Sequence, residues 1–102
     1  MDKRKAIAIA QQYATLVKSN FGCGKIILFG SYSKGNFNER SDIDIAVVFD
    51  DYDSHVQRQV ELLKLTRYVD SRIEPHPFRE RDFNVNNPLA YEVLLFGEEL
   101  HV

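Results

Sequence analysis

The stretch that decides the fold is Lys25–Phe49, which reads KIILFGSYSKGNFNERSDIDIAVVF. It begins with a short, mostly apolar run, Lys25–Phe29, and ends with a second run, Asp42–Phe49. Apolar runs of this length are typical of strands that are covered on both faces. The polar stretch between them is too long for a tight hairpin turn, and it accommodates one short helix with Ser31 as its N-cap. The sequence therefore predicts two strands joined by a long loop.

Helices are predicted on both sides of this stretch. From Lys5 to Phe21, apolar residues recur every three or four positions and so fall on one face of a helix. The glycines in Gly22–Gly24 permit the left-handed turn that ends such a helix. A second long helix is predicted from about His55 to Tyr68, because the acidic turn before it suits a helix N-terminus.

The remaining elements follow the second helix. Arg72–Phe78 is predicted to be a third extended segment, which Pro75 and Pro77 restrict to an edge strand or a strand end. A last helix begins at Asn86–Pro88, with proline in its first turn, and ends before Gly97. The residues predicted to form the apolar face of this helix are Leu89, Tyr91, Val93, Leu94, Leu95 and Phe96.

The order of these elements predicts the fold class. The order is helix, strand, loop, strand, helix, strand, helix. This order is typical of an α/β (α+β) architecture in which helices pack on one small sheet. Residues 98–102 show no pattern that predicts a helix or a strand. With 102 residues, 44% of them hydrophobic and 27% charged, the chain is predicted to form a single domain over residues 1–102.

Composition excludes several functional classes. The longest unbroken apolar run, Ile45–Phe49, is far too short for a membrane span. A formal net charge of -2 argues against direct binding of nucleic acid through bulk phosphate attraction, which requires a basic face. The single cysteine, Cys23, cannot form an internal disulfide, which agrees with a reducing compartment. We therefore expect a cytoplasmic protein without membrane or nucleic-acid partners.

Two carboxylates in the second strand predict a metal site. Asp42 and Asp44 are one residue apart, so the two-residue period of a strand points both side chains to the same face. The alternate residues, from Ile43 to Phe49, form the core face. Neighbouring carboxylates repel each other, and a divalent cation relieves that repulsion. Oxygen ligands suit magnesium or manganese, whereas zinc would call for histidine or cysteine.

A second candidate site lies at the end of the first strand. Gly30 and Ser31 stand where a strand ends and a short helix begins, and such a terminus presents free backbone amides to a phosphate. Gly30 lets the backbone approach a ligand closely, and Ser31 adds a hydroxyl donor. Ser33, Lys34 and Arg40 are secondary candidates. Taken alone, a Gly-Ser pair after a strand is a weak signal.

The spacing between the Gly-Ser turn and the two aspartates indicates that they belong to one site. The chain has Gly30-Ser31, then ten residues, then Asp42-Ile43-Asp44. This pattern closely resembles the signature of the nucleotidyltransferase superfamily that includes DNA polymerase beta, in its minimal, single-domain branch. Phe29, Gly35 and the segment from Asn87 to Gly97 extend the likeness. The resemblance implies magnesium held by the aspartates, a nucleoside triphosphate bound at the Gly-Ser turn, and transfer of a nucleoside monophosphate with release of pyrophosphate.

In that superfamily a third carboxylate on a later strand completes the metal site. Glu74 is the candidate here, as metal ligand or as base, although the superfamily more often has aspartate and Pro75 follows at once. Asp70 is the alternative, ranked lower because it falls at a helix end. His76 lies two residues beyond Glu74 on the same predicted face. Two interpretations of His76 stay open: an acid, base or nucleotide contact at the site, or a partly exposed histidine at a strand end.

The resemblance also implies an acceptor. Minimal members of the family are typically encoded beside a helical HEPN-domain ribonuclease toxin and act as its antitoxin. Transfer of AMP from ATP to a tyrosine of that partner, within a hetero-oligomer, is what the likeness implies. Two alternatives stay open: neutralisation of the toxin by stoichiometric binding without catalysis, and an antibiotic-type nucleotidyltransferase acting on a small molecule. The latter is disfavoured because these residues include no acceptor-binding domain.

Overall fold

Helices and strands alternate along the chain in the computed structural model, which describes residues 1–102. In chain order the elements are α1 (Lys3–Asn20), β1 (Lys25–Phe29), α2 (Ser31–Lys34), β2 (Ile43–Phe49), α3 (His55–Thr66), β3 (Ile73–Arg79), a 3-10 turn (Glu80–Asp82), α4 (Pro88–Phe96) and β4 (Glu98–Glu99). The predicted α/β order is confirmed, with bounds that differ by at most two residues and with β4 as an addition. A further difference is that Gly30, and not Ser31, is the N-cap of α2, because Ser31 is already the first residue of the helix.

The four strands form one mixed sheet in the order β3-β2-β1-β4. β1 pairs antiparallel with β2 and with β4, whereas β2 pairs parallel with β3. A parallel pair needs a crossover connection, and α3 provides it. This topology places β2 inside the sheet, with β1 on one side and β3 on the other.

Both faces of the sheet carry a hydrophobic core. On one face, α1 and α3 cover the predicted core side chains of β2, and Ile45, Val47 and Leu62 are fully buried there. The opposite face, which begins with the two aspartates, is covered further along by α4. Ala46 and Val48 pack there with Ala90 and Val93. The polar site therefore occupies only the uncovered end of that face.

The helix α1 is amphipathic, as its periodicity predicts. Asp2 caps it by accepting a hydrogen bond from the Lys5 backbone at 2.9 Å. Tyr13 is completely buried, and its hydroxyl donates to the Leu62 carbonyl at 2.7 Å, which links α1 to α3. No helix of the chain is both long enough and apolar enough to cross a membrane.

The predicted apolar face of α4 needs correction. Only Ala90 and Val93 are buried against the sheet. Leu94, Leu95 and Phe96 remain 49%, 56% and 48% exposed, and Leu89 and Tyr91 are exposed as well. The physical reason is geometric: the consecutive run 93–96 surrounds the helix axis, and a helix lying on a sheet buries one narrow stripe. Most of the apolar surface of α4 therefore faces outward.

The strand β3 forms one edge of the sheet, as its prolines predict. The Arg72 carbonyl accepts a hydrogen bond from the Ile43 backbone at 2.9 Å, so by alternation residues 73, 75, 77 and 79 turn their backbone groups away from β2. Pro75 and Pro77 occupy two of these outward positions and have no N–H to expose. The outward carbonyl of Pro75 accepts a hydrogen bond from the Gln59 side chain at 2.7 Å.

Candidate active site

The candidate site is built around Asp44. In the sheet register, Asp44 lies directly beside Phe29 of β1 and Glu74 of β3. Side chains at paired positions share a face, so Asp44 and Glu74 project together beyond the part of the sheet that α4 covers. Asp42, which precedes β2, is exposed and contacts Glu74. The structure thus brings together the three carboxylates singled out in the sequence.

Glu74 shows the electrostatic consequence of this crowding. The pKa of its carboxyl is raised above the ordinary value, first by partial desolvation, then by a hydrogen bond with Asp42 and by the negative charge of Asp44. The neighbouring His76 acts in the opposite direction. A carboxylate held beside two others accepts either a proton or a cation, and a divalent cation suits the whole group.

Asp70, the alternative third carboxylate, already has a partner. Arg72 donates to its two oxygens, from Nε at 2.9 Å and from Nη2 at 2.7 Å. This pair holds the pKa of Asp70 below its ordinary value. A bidentate guanidinium satisfies a carboxylate fully, so Asp70 has no need of a metal. The geometry therefore favours Glu74.

His76 is a component whose position the sequence left open. Its Nε2 lies 3.1 Å from Asp44 Oδ1, and its ring packs edge-on against Phe29 with centroids 5.1 Å apart. Asp44, Glu74 and His76 each offer one ligand atom, and these atoms all lie within 4.8 Å of one another. The only signal in the sequence is the two-residue spacing from Glu74, which puts both side chains on one face of β3.

Gly30 makes room for Asp44. Its backbone lies at φ 76 and ψ -150, a region that is essentially restricted to glycine. A Cβ atom on Gly30 would overlap the Asp44 carboxylate. Ser31 begins α2 directly afterwards, and the first N–H groups of a helix have no partner within it. The start of α2 is therefore next to the carboxylate group.

The secondary candidates in and after α2 have other contacts. The Ser33 hydroxyl donates to the Phe96 carbonyl, and Lys34 forms an ion pair with Glu92. Both contacts attach α2 to α4. Arg40 is exposed in the loop that follows α2. None of these three side chains is held at the carboxylate group by a contact in the structure.

A cleft that the sequence did not reveal adjoins the site. Its volume is about 260 Å³, and it is lined by residues from the second half of the chain, including Tyr52, His55, His76, Arg79 and Asn87. Tyr52 and His55 contact each other, with 2.9 Å between the hydroxyl and Nδ1. No sequence spacing links these residues, because α3, β3 and the start of α4 meet only in the fold. His76 belongs to both the cleft and the carboxylate group.

Comparison with known families shows which class this fold and site define. Residues 10–97 match the nucleotidyltransferase domain family, and the chain belongs to that family. The match includes the Gly-Ser turn and all three carboxylates. The family resemblance drawn from the sequence is thereby confirmed.

Two named relatives are similar to this chain over part of its length. Two proteins of Methanocaldococcus jannaschii, provisionally named protein adenylyltransferases, are 41% identical over 66 residues and 36% identical over 62 residues. The first alignment covers 62% of this chain and 63% of the relative; the second covers 61% and 60%. The match thus spans less than two thirds of the length of each of these relatives.

Solved structures share the fold more completely. A chain of a toxin-antitoxin crystal structure with AMP-PNP is 31% identical, with a TM-score of 0.69, and the match covers 89% of this chain and 72% of that one. A chain of the complex between the tri-AMPylated Shewanella oneidensis HEPN toxin and its MNT antitoxin is 28% identical, with a TM-score of 0.65, covering 94% and 71%. The predicted nucleotidyltransferase fold is confirmed by these likenesses.

One prediction distinguishes Glu74 from Asp70. Glu74→Gln keeps the size of the side chain but removes its charge, so turnover is expected to fall at least about tenfold, or about 1.4 kcal/mol in the transition state. Asp70→Asn is the matched control and is expected to retain wild-type turnover. Initial rates of pyrophosphate release measure both. The reverse outcome, with Asp70→Asn impaired and Glu74→Gln active, would assign the third carboxylate to Asp70.

Proposed function

We propose that this protein is a metal-dependent nucleotidyltransferase that transfers AMP from ATP to a hydroxyl of a protein acceptor. The observation that carries the proposal is the grouping of Asp42, Asp44 and Glu74 beside the Gly30 turn. Such a group supplies ligands for a cation at the place where a helix start can receive phosphate. The names of the relatives support AMP and a protein as the transferred group and the acceptor.

The carboxylate group fits a divalent metal. The carboxylates of Asp44 and Glu74 lie side by side on two paired strands, and Asp42 contacts Glu74. The pKa of Glu74 is raised first by partial desolvation and then by these two neighbours. In our proposal Asp42, Asp44 and Glu74 hold Mg²⁺ or Mn²⁺, which suit oxygen ligands. When bound, the metal supplies neutralisation of the triphosphate charge and polarisation of the phosphorus that is attacked.

The Gly30 turn is proposed to hold the triphosphate. Backbone N–H groups at the start of α2 and the Ser31 hydroxyl donate to its oxygens, as expected for an anion at the start of a helix. The absence of a side chain on Gly30 keeps the Asp44 carboxylate close to the same point. Phosphate and metal are thus positioned by adjacent parts of the chain.

The transfer itself is a displacement at phosphorus. The acceptor hydroxyl oxygen forms a bond to the α-phosphorus, and the bond from that phosphorus to the oxygen bridging to the β-phosphate breaks. Pyrophosphate leaves with the electron pair. The hydroxyl proton passes to a carboxylate oxygen of Glu74, which we propose as the base because Glu74 is paired with Asp44 at this end of the sheet. The protein contributes mainly alignment of the two reactants.

We propose that the acceptor is a tyrosine of a cognate HEPN ribonuclease toxin, with this protein as its antitoxin in a hetero-oligomer. The support comes from the relatives. Two structural neighbours are toxin-antitoxin complexes, one with AMP-PNP and one with an AMPylated HEPN toxin. Because ATP is the proposed donor, we place the reaction in the cytoplasm.

The proposal is tested with trace amounts of this protein. With ATP and Mg²⁺, a catalyst is expected to add AMP to an excess of the proposed HEPN partner, which is visible in the intact mass of that partner. The modified toxin should stay inactive after this protein is removed. Neutralisation that requires equimolar protein, persists in chelator and leaves the toxin mass unchanged would instead establish the non-catalytic binder.

A further inference from the structure

We propose that His76 is a metal ligand and that its nitrogen makes this site select Mn²⁺ over Mg²⁺. The inference deepens the proposed function, on which it rests, by naming the metal. The three ligand atoms that converge within 4.8 Å of one another are two carboxylate oxygens and one imidazole nitrogen. An oxygen-only site is what the aspartates alone predict, so His76 changes the chemistry of the donor set.

The imidazole is held in place before any metal binds. Pro75 and Pro77 flank His76, and proline both fixes its own φ and keeps the residue before it extended. The side chain is 24% exposed, and its ring packs edge-on against Phe29. Since the ring is already oriented by these contacts, coordination costs little conformational entropy. The strand therefore presents Nε2 to Asp44 as a fixed donor.

A simple histidine-carboxylate pair does not account for the whole group. His76 and Asp44 lie 3.1 Å apart and can satisfy each other. Glu74 offers a further oxygen within 4.8 Å of the ligand atoms of both residues, so a single imidazole faces two carboxylates. A divalent cation placed between the three ligand atoms neutralises both carboxylates and uses the nitrogen lone pair at once.

The donor set determines the preference among metals. Mg²⁺ takes oxygen ligands almost exclusively, whereas imidazole is a good ligand for transition metals. Mn²⁺ shares with Mg²⁺ a preference for carboxylate and phosphate oxygens. Because Mn²⁺ is a transition-metal ion and softer than Mg²⁺, it accepts an imidazole nitrogen more readily. A site in which one imidazole joins the carboxylates therefore binds Mn²⁺ more tightly than Mg²⁺.

The test measures metal binding without nucleotide or acceptor, so it is independent of turnover. Mn²⁺ is titrated into the purified protein and followed by electron paramagnetic resonance. Pulsed measurements are expected to show coupling of Mn²⁺ to a directly bound ¹⁴N nucleus. In competition, displacing half of the Mn²⁺ is expected to need at least about tenfold more Mg²⁺, because even the loss of an outer-shell partner changes metal affinity by about 10 to 100-fold.

Two variants complete the design. His76→Gln offers an amide oxygen in place of nitrogen, so it should lose the ¹⁴N coupling and the Mn²⁺ preference while it still binds Mg²⁺. His101→Asn removes a histidine that is 83% exposed at the end of the chain and should behave as wild type. Retained Mg²⁺ binding by His76→Gln also shows that this variant folds.

Three results would overturn the assignment of His76. These are no ¹⁴N coupling in the wild-type protein, coupling that persists in His76→Gln, and equal affinity of the wild-type protein for the two metals. None of them bears on whether AMP is transferred, since a site of oxygens alone also supports that chemistry. Conversely, ¹⁴N-coupled Mn²⁺ in a protein that shows no transferase activity would support the assignment of His76 and contradict only the proposed function.

Discussion

Replacing both Asp42 and Asp44 by asparagine is expected to lower turnover at least about a thousandfold, since metal coordination contributes several kcal/mol to such transfers. Asp44 lies on β2 beside Glu74 and against the Gly30 turn, and Asp42, which directly precedes β2, contacts Glu74. Isothermal titration with metal and a non-hydrolysable ATP analogue should show no metal-dependent binding by the double variant.

The same variant separates a functional from a structural role. Removing like charges that repel each other should leave the metal-free protein at least as stable as wild type, as measured by its melting temperature in chelator. Asp50→Asn with Asp53→Asn, in the acidic turn after β2, is the control that removes the same charge elsewhere. Undiminished nucleotide binding, or a large loss of stability in chelator, would contradict the metal-site interpretation.

Gly30→Ala is expected to damage the site through the backbone. At φ 76 and ψ -150 an alanine is strained by about 1–3 kcal/mol. Its Cβ would in addition overlap the Asp44 carboxylate, which has to move. Because a displacement of about 1 Å in a reacting group costs about a hundredfold in rate, turnover should fall by at least that factor. Steady-state rates and a melting curve measure the two effects.

Gly35→Ala provides a matched control within the same segment. Gly35 also has positive φ, 87, so alanine is strained there as well. No atom lies within 4 Å of a Cβ at this position, so nothing at the site is displaced. This variant should lose stability but keep most of its activity. Equal loss of turnover in the two variants would show that backbone strain alone, and not the displacement of Asp44, impairs the site.

Local patterns predicted the parts of the site that lie close together in sequence. Alternation along β2 puts Asp42 and Asp44 on one face, and Gly30 marks the end of the preceding strand. The partnership of Asp44 with Glu74 depends on the register between two strands separated by α3. Periodicity alone does not determine such a register. The likeness to a known family, and not the residue pattern, is what connected Glu74 to the aspartates.

Other features depend on the assembled fold. The two-residue strand β4 is too short to show any period, and it forms only because the end of α4 brings it alongside β1. The outward apolar residues of α4 are indistinguishable in sequence from its buried ones, because the run 93–96 is continuous. The cleft beside His76 combines three elements that no spacing relates. Tertiary contacts decide each of these cases.

The prolines of β3 have a consequence for self-association. An exposed strand edge is where a second polypeptide adds to a sheet and where aggregation begins. Here one edge lacks donors at Pro75 and Pro77, and the opposite edge is a strand of only two residues, both glutamate. Strand addition is thus disfavoured at both edges. If the acceptor is a protein, as proposed above, we expect it to engage this domain through side chains and not by adding a strand to the sheet.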